Sequence, residues 1–445
     1  MSHIAGFPTI TMRYGKDGGP LDPKHAEKLR SFVKNEGLTD LLVLSHGWNN
    51  TEKKAMEHYK ELGAALARQS GNVASLAARK IGLGLVIWPS QAIKGWDDSD
   101  AGGHGGAAAA GPGNDVELDP HKVVEDAIAD LDLTQEEAEA LREAAQAAIA
   151  NEKKFDDFFA KAAAAFDTPD PVPQETYTPP EIDPVVDVSD LDERADKKIL
   201  DPDKKAGRNA ALRKAGHEAG AKDDFKSGVA GAGVKGAGST VVGALNILTF
   251  YKMKKRAGFV GSRGVAHTLA GLRLFSDGLR IHLSGHSFGA RVLTMATLAL
   301  NGSKQATPNT LCLIQAAFSH NSFSPRVPKP KGGYFRPVVG KKFVSGKMIV
   351  THTHNDKAVT IAYSIASAAA GQNAATGAPS IFGGLGANGT QHTDEATGIK
   401  MQAPGSAYDF SSKEIYNLES SAFVSGHADV RNDGVAFAIC SAMGA

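Results

Sequence analysis

Residues Ile281 to Ala290 read I-H-L-S-G-H-S-F-G-A, and they leave the chain little freedom of local shape. An apolar run ends in Gly285-His286-Ser287-Phe288-Gly289, which sets a serine between two glycines. Residues 279–284 have the character of a buried strand, and 290–300 (A-R-V-L-T-M-A-T-L-A-L) that of a helix. A strand that turns directly into a helix strains the residue at the turn, and its neighbours must lack side chains so that the two elements can pass closely. The G-x-S-x-G pattern meets that demand and presents the serine hydroxyl at the top of the turn. Such a short pattern also occurs by chance as a plain structural turn, but the flanking strand and helix favour a nucleophile. Ser287 is the candidate nucleophile, and Gly285, His286 and Gly289 shape its elbow.

Other segments repeat the strand–helix alternation. Residues 9–14 (T-I-T-M-R-Y) alternate like an exposed or edge strand. Residues 24–36 have helical spacing at Ala26, Leu29, Phe32 and Val33, with Gly37 as a stop. A buried strand is expected over 41–45 (L-L-V-L-S), then a helix over 51–69 capped by Asn50 or Thr51, then a strand over 84–89. Further strands are expected at 311–316, 347–351 and 415–418, with a helix over 261–275 and a last one over 434–443. Strands apolar on both faces that alternate with helices predict an α/β fold: a mostly parallel central sheet with helices on both faces.

The alternation breaks after Trp96. Residues 97–113 are a Gly/Ala-rich linker, and 120–166 are alanine- and acid-rich with helical periodicity, including helices over 135–151 and 153–166. Residues 168–192 are rich in proline and acid and read as extended or disordered, while 197–226 are charged and helix-compatible. A Gly/Ala-rich stretch at 228–240 leads into the apolar 241–251, and another Gly/Ala/Ser-rich loop follows at 371–389. The expected organisation is a core of two parts, 1–96 and 249–445, with 97–248 inserted as a mainly helical, partly flexible cap.

The chain has 49 basic and 49 acidic residues, so its charge does not point to nucleic acid as a partner. Cys312 and Cys440 lie far apart and match neither a disulfide framework nor a zinc site. The first residues carry no basic region followed by an apolar stretch, so a cytoplasmic location is expected, with signal-independent secretion left open. No strongly apolar run reaches the roughly 18 residues of a membrane-spanning helix. Composition sets no oligomeric state.

A serine hydroxyl needs a base to take its proton, and the base needs a third group to hold its tautomer. Asp356 follows the strand at 347–351 in T-H-T-H-N-D, on a loop at a strand end. His427 lies in S-G-H-A-D-V between the last candidate strand and the last helix. These placements make Asp356 the candidate acid and His427 the candidate base. His352 and His354 form an H-x-H pair with no third ligand at a familiar spacing, and they read as surface or supporting histidines. Asp394, Asp429 and Asp433 read as caps or surface carboxylates. An oxyanion needs two preorganised N–H donors. One is expected from Phe288, which follows the nucleophile. The other is expected from Trp48, in the turn His46-Gly47-Trp48-Asn49-Asn50 after the strand at 41–45. The Trp48 ring can pack as core while its amide serves the site.

With these residues in view, the chain resembles the α/β-hydrolase superfamily of serine esterases and lipases. It looks most like a bacterial branch with H-G-W-N-N after one strand and W-P-S after the next, here His46–Asn50 and Trp88–Ser90. The similarity covers about 1–96 and 249–445, and nothing familiar covers 97–248. The resemblance implies Ser287, Asp356 and His427 as a triad, Trp48 and Phe288 as the oxyanion pair, and no metal or organic cofactor. It implies cleavage of carboxylic esters, including lipid-like ones, through an acyl-enzyme. An amidase or peptidase with the same triad, and a binding or scaffold protein on this fold, are the alternatives. One departure is visible: between Tyr14 and Asp40 there is one helix and no second strand, so the sheet is expected to lack the usual N-terminal hairpin. The apolar 241–251, joined to the basic 252–256, reads equally as a lid making transient contact with an anionic membrane surface and as a buried helix with an exposed basic end.

Overall fold

The computed structural model describes residues 2–91, 119–167, 237–273, 275–276, 278–300, 307–327, 332–356, 358–359 and 383–445. The readings made for 97–113, 168–192, 197–226, 228–236 and 371–382 lie outside the described residues. Nine strands in the described residues form one sheet: β1 (Ser2–Ile4), β2 (Phe7–Arg13), β3 (Asp40–Ser45), β4 (Ile81–Ile87), β5 (Arg280–His286), β6 (Thr310–Ile314), β7 (Met348–His352), β8 (Ala396–Lys400) and β9 (Ile415–Glu419). Their order is β1-β2-β4-β3-β5-β6-β7-β9-β8, and every neighbouring pair is parallel except β1–β2. This is the expected α/β architecture with a mostly parallel sheet. The expectation of a sheet without an N-terminal hairpin is corrected. β1 and β2 form one, joined through Ala5 and Gly6, both at positive φ. It lies upstream of the segment where a second strand was sought.

β3 is buried along its whole length, and its side chains divide by the two-residue period of a strand. Leu41 and Val43 join Met12, Val86, helix α1 (His25–Glu36) and much of the later helical structure on one face. Leu42 and Leu44 join Leu83, Leu85 and helix α2 (Glu52–Ser70) on the other. Thr51 caps α2 by accepting a hydrogen bond from the Lys54 amide.

Between β4 and β5 the described chain is helical: α3 (Pro120–Asp130), α4 (Gln135–Ala150), α5 (Phe155–Asp167), α6 (Ala237–Phe259) and α7 (Ala266–Arg273). Helix α8 (Phe288–Ala299) follows β5, and α9 (Asp433–Gly444) closes the described chain against α2. Helices α3, α4 and α5 all pack on α6, which lies against α8. A π-helical turn, Val260–Val265, joins α6 to α7. A Cβ added at Gly261 would lie 2.2 Å from the Val292 carbonyl oxygen, so bare backbone is what lets this turn approach α8.

Residue 248, expected as the end of the insertion, lies in the middle of α6. Val241, Leu245 and Leu248 are buried, and so are Lys252 and Arg256, while Lys254 and Lys255 are half-buried. The apolar part of 241–256 is a buried helix, and the expectation that such a helix would have an exposed basic end is corrected, since Lys252 and Arg256 are buried with it. Arg256 donates to the Pro89 carbonyl (2.9 Å) and to Asp130 at the end of α3 (2.9 Å), and Lys16 donates to the Asp130 carbonyl (2.6 Å). Among the described residues no helix is long and apolar enough to cross a membrane.

At the other end of the sheet, the fully buried Asp40 accepts from Arg280 (2.8 and 2.7 Å) and from His282 Nε2 (3.0 Å), while Arg79 also reaches it. Burial alone would raise the Asp40 pKa, but donors from Arg280, His282 and Thr39 outweigh it and hold the carboxyl well below the usual range. A carboxyl depressed in the folded state stabilises above its unfolded pKa, near 4, and that contribution fades as pH falls toward the folded value. The melting temperature is therefore expected to drop on acidification below about pH 4. Asp40→Asn should lose about 3 kcal/mol at pH 7 and flatten the acid slope, as read by denaturant unfolding at several pH values. Asp130→Ala, which removes one acceptor of the buried Arg256 guanidinium, should cost about 1–3 kcal/mol by the same measurement.

Candidate active site

Parallel register brings the C-terminal ends of five strands to one edge of the sheet. Ser45 pairs with Gly285, His286 with Ile314, Ile314 with Thr351, and His352 with Glu419. Each of these strands is followed by a segment that reaches the candidate site: His46–Trp48, Ser287, Gln315, Asp356 and His427.

Ser287 has φ 56° and ψ −123°, a conformation that side-chain-bearing residues rarely adopt. Its amide donates to the Ile314 carbonyl (3.1 Å), and its carbonyl accepts from Ala290 (3.1 Å) and Ala317 (3.3 Å). The two elbow glycines are required by contact. A Cβ on Gly289 would lie 2.1 Å from the Ser45 carbonyl oxygen, and one on Gly285 would lie 2.4 Å from the Gly289 carbonyl oxygen. The helix can thus begin directly against the end of β3.

His427 Nδ1 and Asp356 Oδ2 are 2.8 Å apart, and both side chains are fully buried. Asp356 Oδ1 accepts from the Val359 amide (2.9 Å). His427 Nε2 is buried and has no hydrogen-bond partner among the described residues. The structure thus brings the candidate acid and base together, and His427 makes no hydrogen bond to the Ser287 hydroxyl. Nucleophile–base bonds are often looser without substrate than during reaction. His286 places the base: its Nε2–H donates to the His427 carbonyl (2.9 Å), and the two rings lie 4.8 Å apart. Burial, aided by the neighbouring His427, holds His286 well below the ordinary imidazole value, so it stays neutral.

The turn after β3 crosses directly beside the nucleophile, since a Cβ on Gly47 would lie 2.8 Å from Ser287 Cβ. The W-P-S segment holds this turn. The Trp88 ring stacks on His46 at 5.5 Å and 8°, and its Nε1–H donates to the His46 carbonyl (3.0 Å). Burial pushes His46 down to about 4, which fixes a neutral tautomer. Its Nδ1–H donates to the Gly47 carbonyl (2.9 Å), and its Nε2 accepts from the Trp88 amide (3.3 Å). Ser90 binds both ends of Asn50: the Asn50 amide donates to Ser90 Oγ, and Ser90 Oγ–H donates to the Asn50 carbonyl, each at 3.1 Å. The Asn50 side chain donates to the Gly47 (3.2 Å) and Trp48 (2.9 Å) carbonyls. With those carbonyls held, the Trp48 and Phe288 amides make no turn or side-chain hydrogen bond among the described residues. Their rings pack together at 6.1 Å, and Phe250 of α6 lies 5.8 Å from Trp48 and 4.9 Å from Phe288.

No known protein family, curated protein or solved structure matches this chain. What the site can do is therefore read from its own geometry.

The competing residues take other roles. Asp429 accepts from the Ser425 amide (2.9 Å) and hydroxyl (2.7 Å), Asp433 pairs with Arg68 (2.7 Å), and exposed Asp394 pairs with Arg326 (3.2 Å). His354 bonds Ser421 (2.8 Å), and burial lowers the pKa of His352. Among the described residues no three His, Cys, Asp or Glu side chains gather as a metal site would need. The sequence alone does not single out Gln315, and the W-P-S motif by itself assigns no role to Ser90. Ser90→Ala strands the Asn50 amide and should cost about 1–3 kcal/mol. By loosening the turn, it should also slow phosphonylation of Ser287 by a fluorophosphonate about tenfold.

Proposed function

We propose that the protein is a serine hydrolase of the α/β-hydrolase type that cleaves carboxylic esters through an acyl-enzyme. One observation carries the reading: His427 pairs with the buried Asp356 and keeps Nε2 without a partner among the described residues, while its carbonyl is bound by His286, the neighbour of a serine in a strained strand-to-helix turn. In this scheme Ser287 Oγ attacks the ester carbonyl while His427 Nε2 takes its proton. The carbonyl oxygen becomes an oxyanion facing the Trp48 and Phe288 amides. Asp356 holds Nδ1–H, which keeps Nε2 as the acceptor and then stabilises the imidazolium. His427 returns the proton to the leaving alcohol, and water releases the acid by the same roles reversed. The Trp48–Phe250–Phe288 aromatic cluster, next to the oxyanion donors, favours an apolar acyl group over a charged one.

A fluorophosphonate should label the native protein once, and Ser287→Ala should remove the label. Asp356→Asn, which misdirects the His427 tautomer, should lower kcat by about 10⁴-fold. p-Nitrophenyl esters should be cleaved and the matching anilides should not. An unlabelled native protein would instead favour a binding role, and equal cleavage of anilides would favour an amidase.

A further inference from the structure

We propose that Gln315 is a positioning residue for the catalytic acid, an inference that rests on the hydrolase reading of the site. Gln315 follows β6 directly and is fully buried, yet its φ is 43°, in the left-handed region that favours glycine. A non-glycine residue there is held at a cost of about 1–3 kcal/mol, so its side chain must offer something that glycine cannot. Its amide group touches the acid. Nε2 donates to Asp356 Oδ2 (3.3 Å), the same oxygen that faces His427 Nδ1, and to the Gly386 carbonyl (3.0 Å).

The other end of the amide is fixed from β7. Thr351 Oγ1–H donates to Gln315 Oε1 (2.7 Å), and the Gln315 backbone N–H donates to Thr351 Oγ1 (3.0 Å). This closed pair sets the orientation of the amide. The reverse orientation would aim Oε1 at a carboxylate and a carbonyl, two acceptors, with no proton between them. Gly386 completes the seat, because a Cβ there would lie 2.6 Å from the Gln315 backbone and 3.0 Å from Asp356 Oδ2. Asp356 Oδ2 is therefore held from two directions, by Gln315 and by His427. Without Gln315 one of the contacts that fix Oδ2 is lost, the carboxylate is oriented less tightly about χ2, and so is the imidazole bound to it.

Gln315→Gly separates this role from a merely structural one, since glycine accepts the left-handed backbone without strain. The variant should fold, with native circular dichroism and a melting temperature lowered only by the part of the lost buried hydrogen bonds that the relieved backbone strain does not offset. Its kcat for a p-nitrophenyl ester and its rate of fluorophosphonate labelling should fall together by about a hundredfold, with KM little changed. Gln315→Glu, which presents an oxygen to Asp356, should not restore the rate. The downfield proton resonance of His427 Nδ1–H should shift or broaden in the Gly variant. A native-like rate with an unmoved resonance overturns the proposal. If even the native protein neither labels nor hydrolyses esters, the hydrolase reading fails instead. The resonance then still tests Gln315: its movement supports the hold on the pair, and its constancy refutes it.

Discussion

The chain's one indispensable constraint is the turn at Ser287, the single residue between a parallel strand and a helix. A left-handed, side-chain-bearing residue is strained by about 1–3 kcal/mol. It persists here because three neighbouring segments fix it: the Ile314 carbonyl, the Ala317 amide and the end of β3. The glycines serve contact more than flexibility. Gly289 lets α8 start against Ser45, and Gly47 lets the turn after β3 pass beside the serine. If α8 could not begin so close to β3, the turn at Gly47 could not pass beside Ser287. The strain and that passage are two results of one close approach.

The sheet carries two histidine–aspartate pairs, one at each end of its strands, and their contrast separates structure from chemistry. At the N-terminal ends, His282 joins Asp40 to the Thr310 hydroxyl, a carboxylate–imidazole–hydroxyl line much like the one expected of a triad. Both ring nitrogens of His282 are occupied, and all three residues are buried. Burial lowers the His282 pKa, so Nε2–H donates to Asp40 while Nδ1 accepts from Thr310. That line staples β3, β5 and β6. At the opposite ends, His427 has one nitrogen held by Asp356 and the other without a partner. An imidazole that has satisfied both nitrogens is cement, while one with a single free nitrogen is available to take a proton.

The sequence was legible where a single segment carries its own signal. The apolar runs of β3, β5, β6, β7 and β9, the Thr51 cap and the elbow are all local, and each element lies within a few residues of its expected place. β8 escaped notice because A-T-G-I-K is short, half-exposed and interrupted by glycine, so it lacks both alternation and an apolar run. β1 is only three residues and exists because β2 pairs with it. The π-helical turn at 260–265 answers to a neighbouring helix, which no periodicity within those residues reveals. Asp356 and His427 could be placed by chain order. Gln315 could not, because a polar residue after an apolar strand looks like any strand end. Its meaning comes from the register that sets Ile314 beside Thr351.

Helix α6 shows the same limit at larger scale. An apolar stretch followed by basic residues has one hydropathy profile whether it faces lipid or protein, so composition alone cannot separate a surface lid from an interior helix. What separates them is a partner 126 residues away in sequence: Asp130 accepts the Arg256 guanidinium and makes its burial tolerable. Lys16 binds the backbone at the same point, so the helices packed on α6 are tied both to the core helix and to the N-terminal segment. The consequence reaches the site through Phe250, which α6 holds against Phe288, the residue that follows the nucleophile. Moving α6 would have to break the Asp130–Arg256 pair and withdraw the Phe250 ring from Trp48 and Phe288. Phe250 of α6 is thus packed against Phe288, next to Ser287 in the chain.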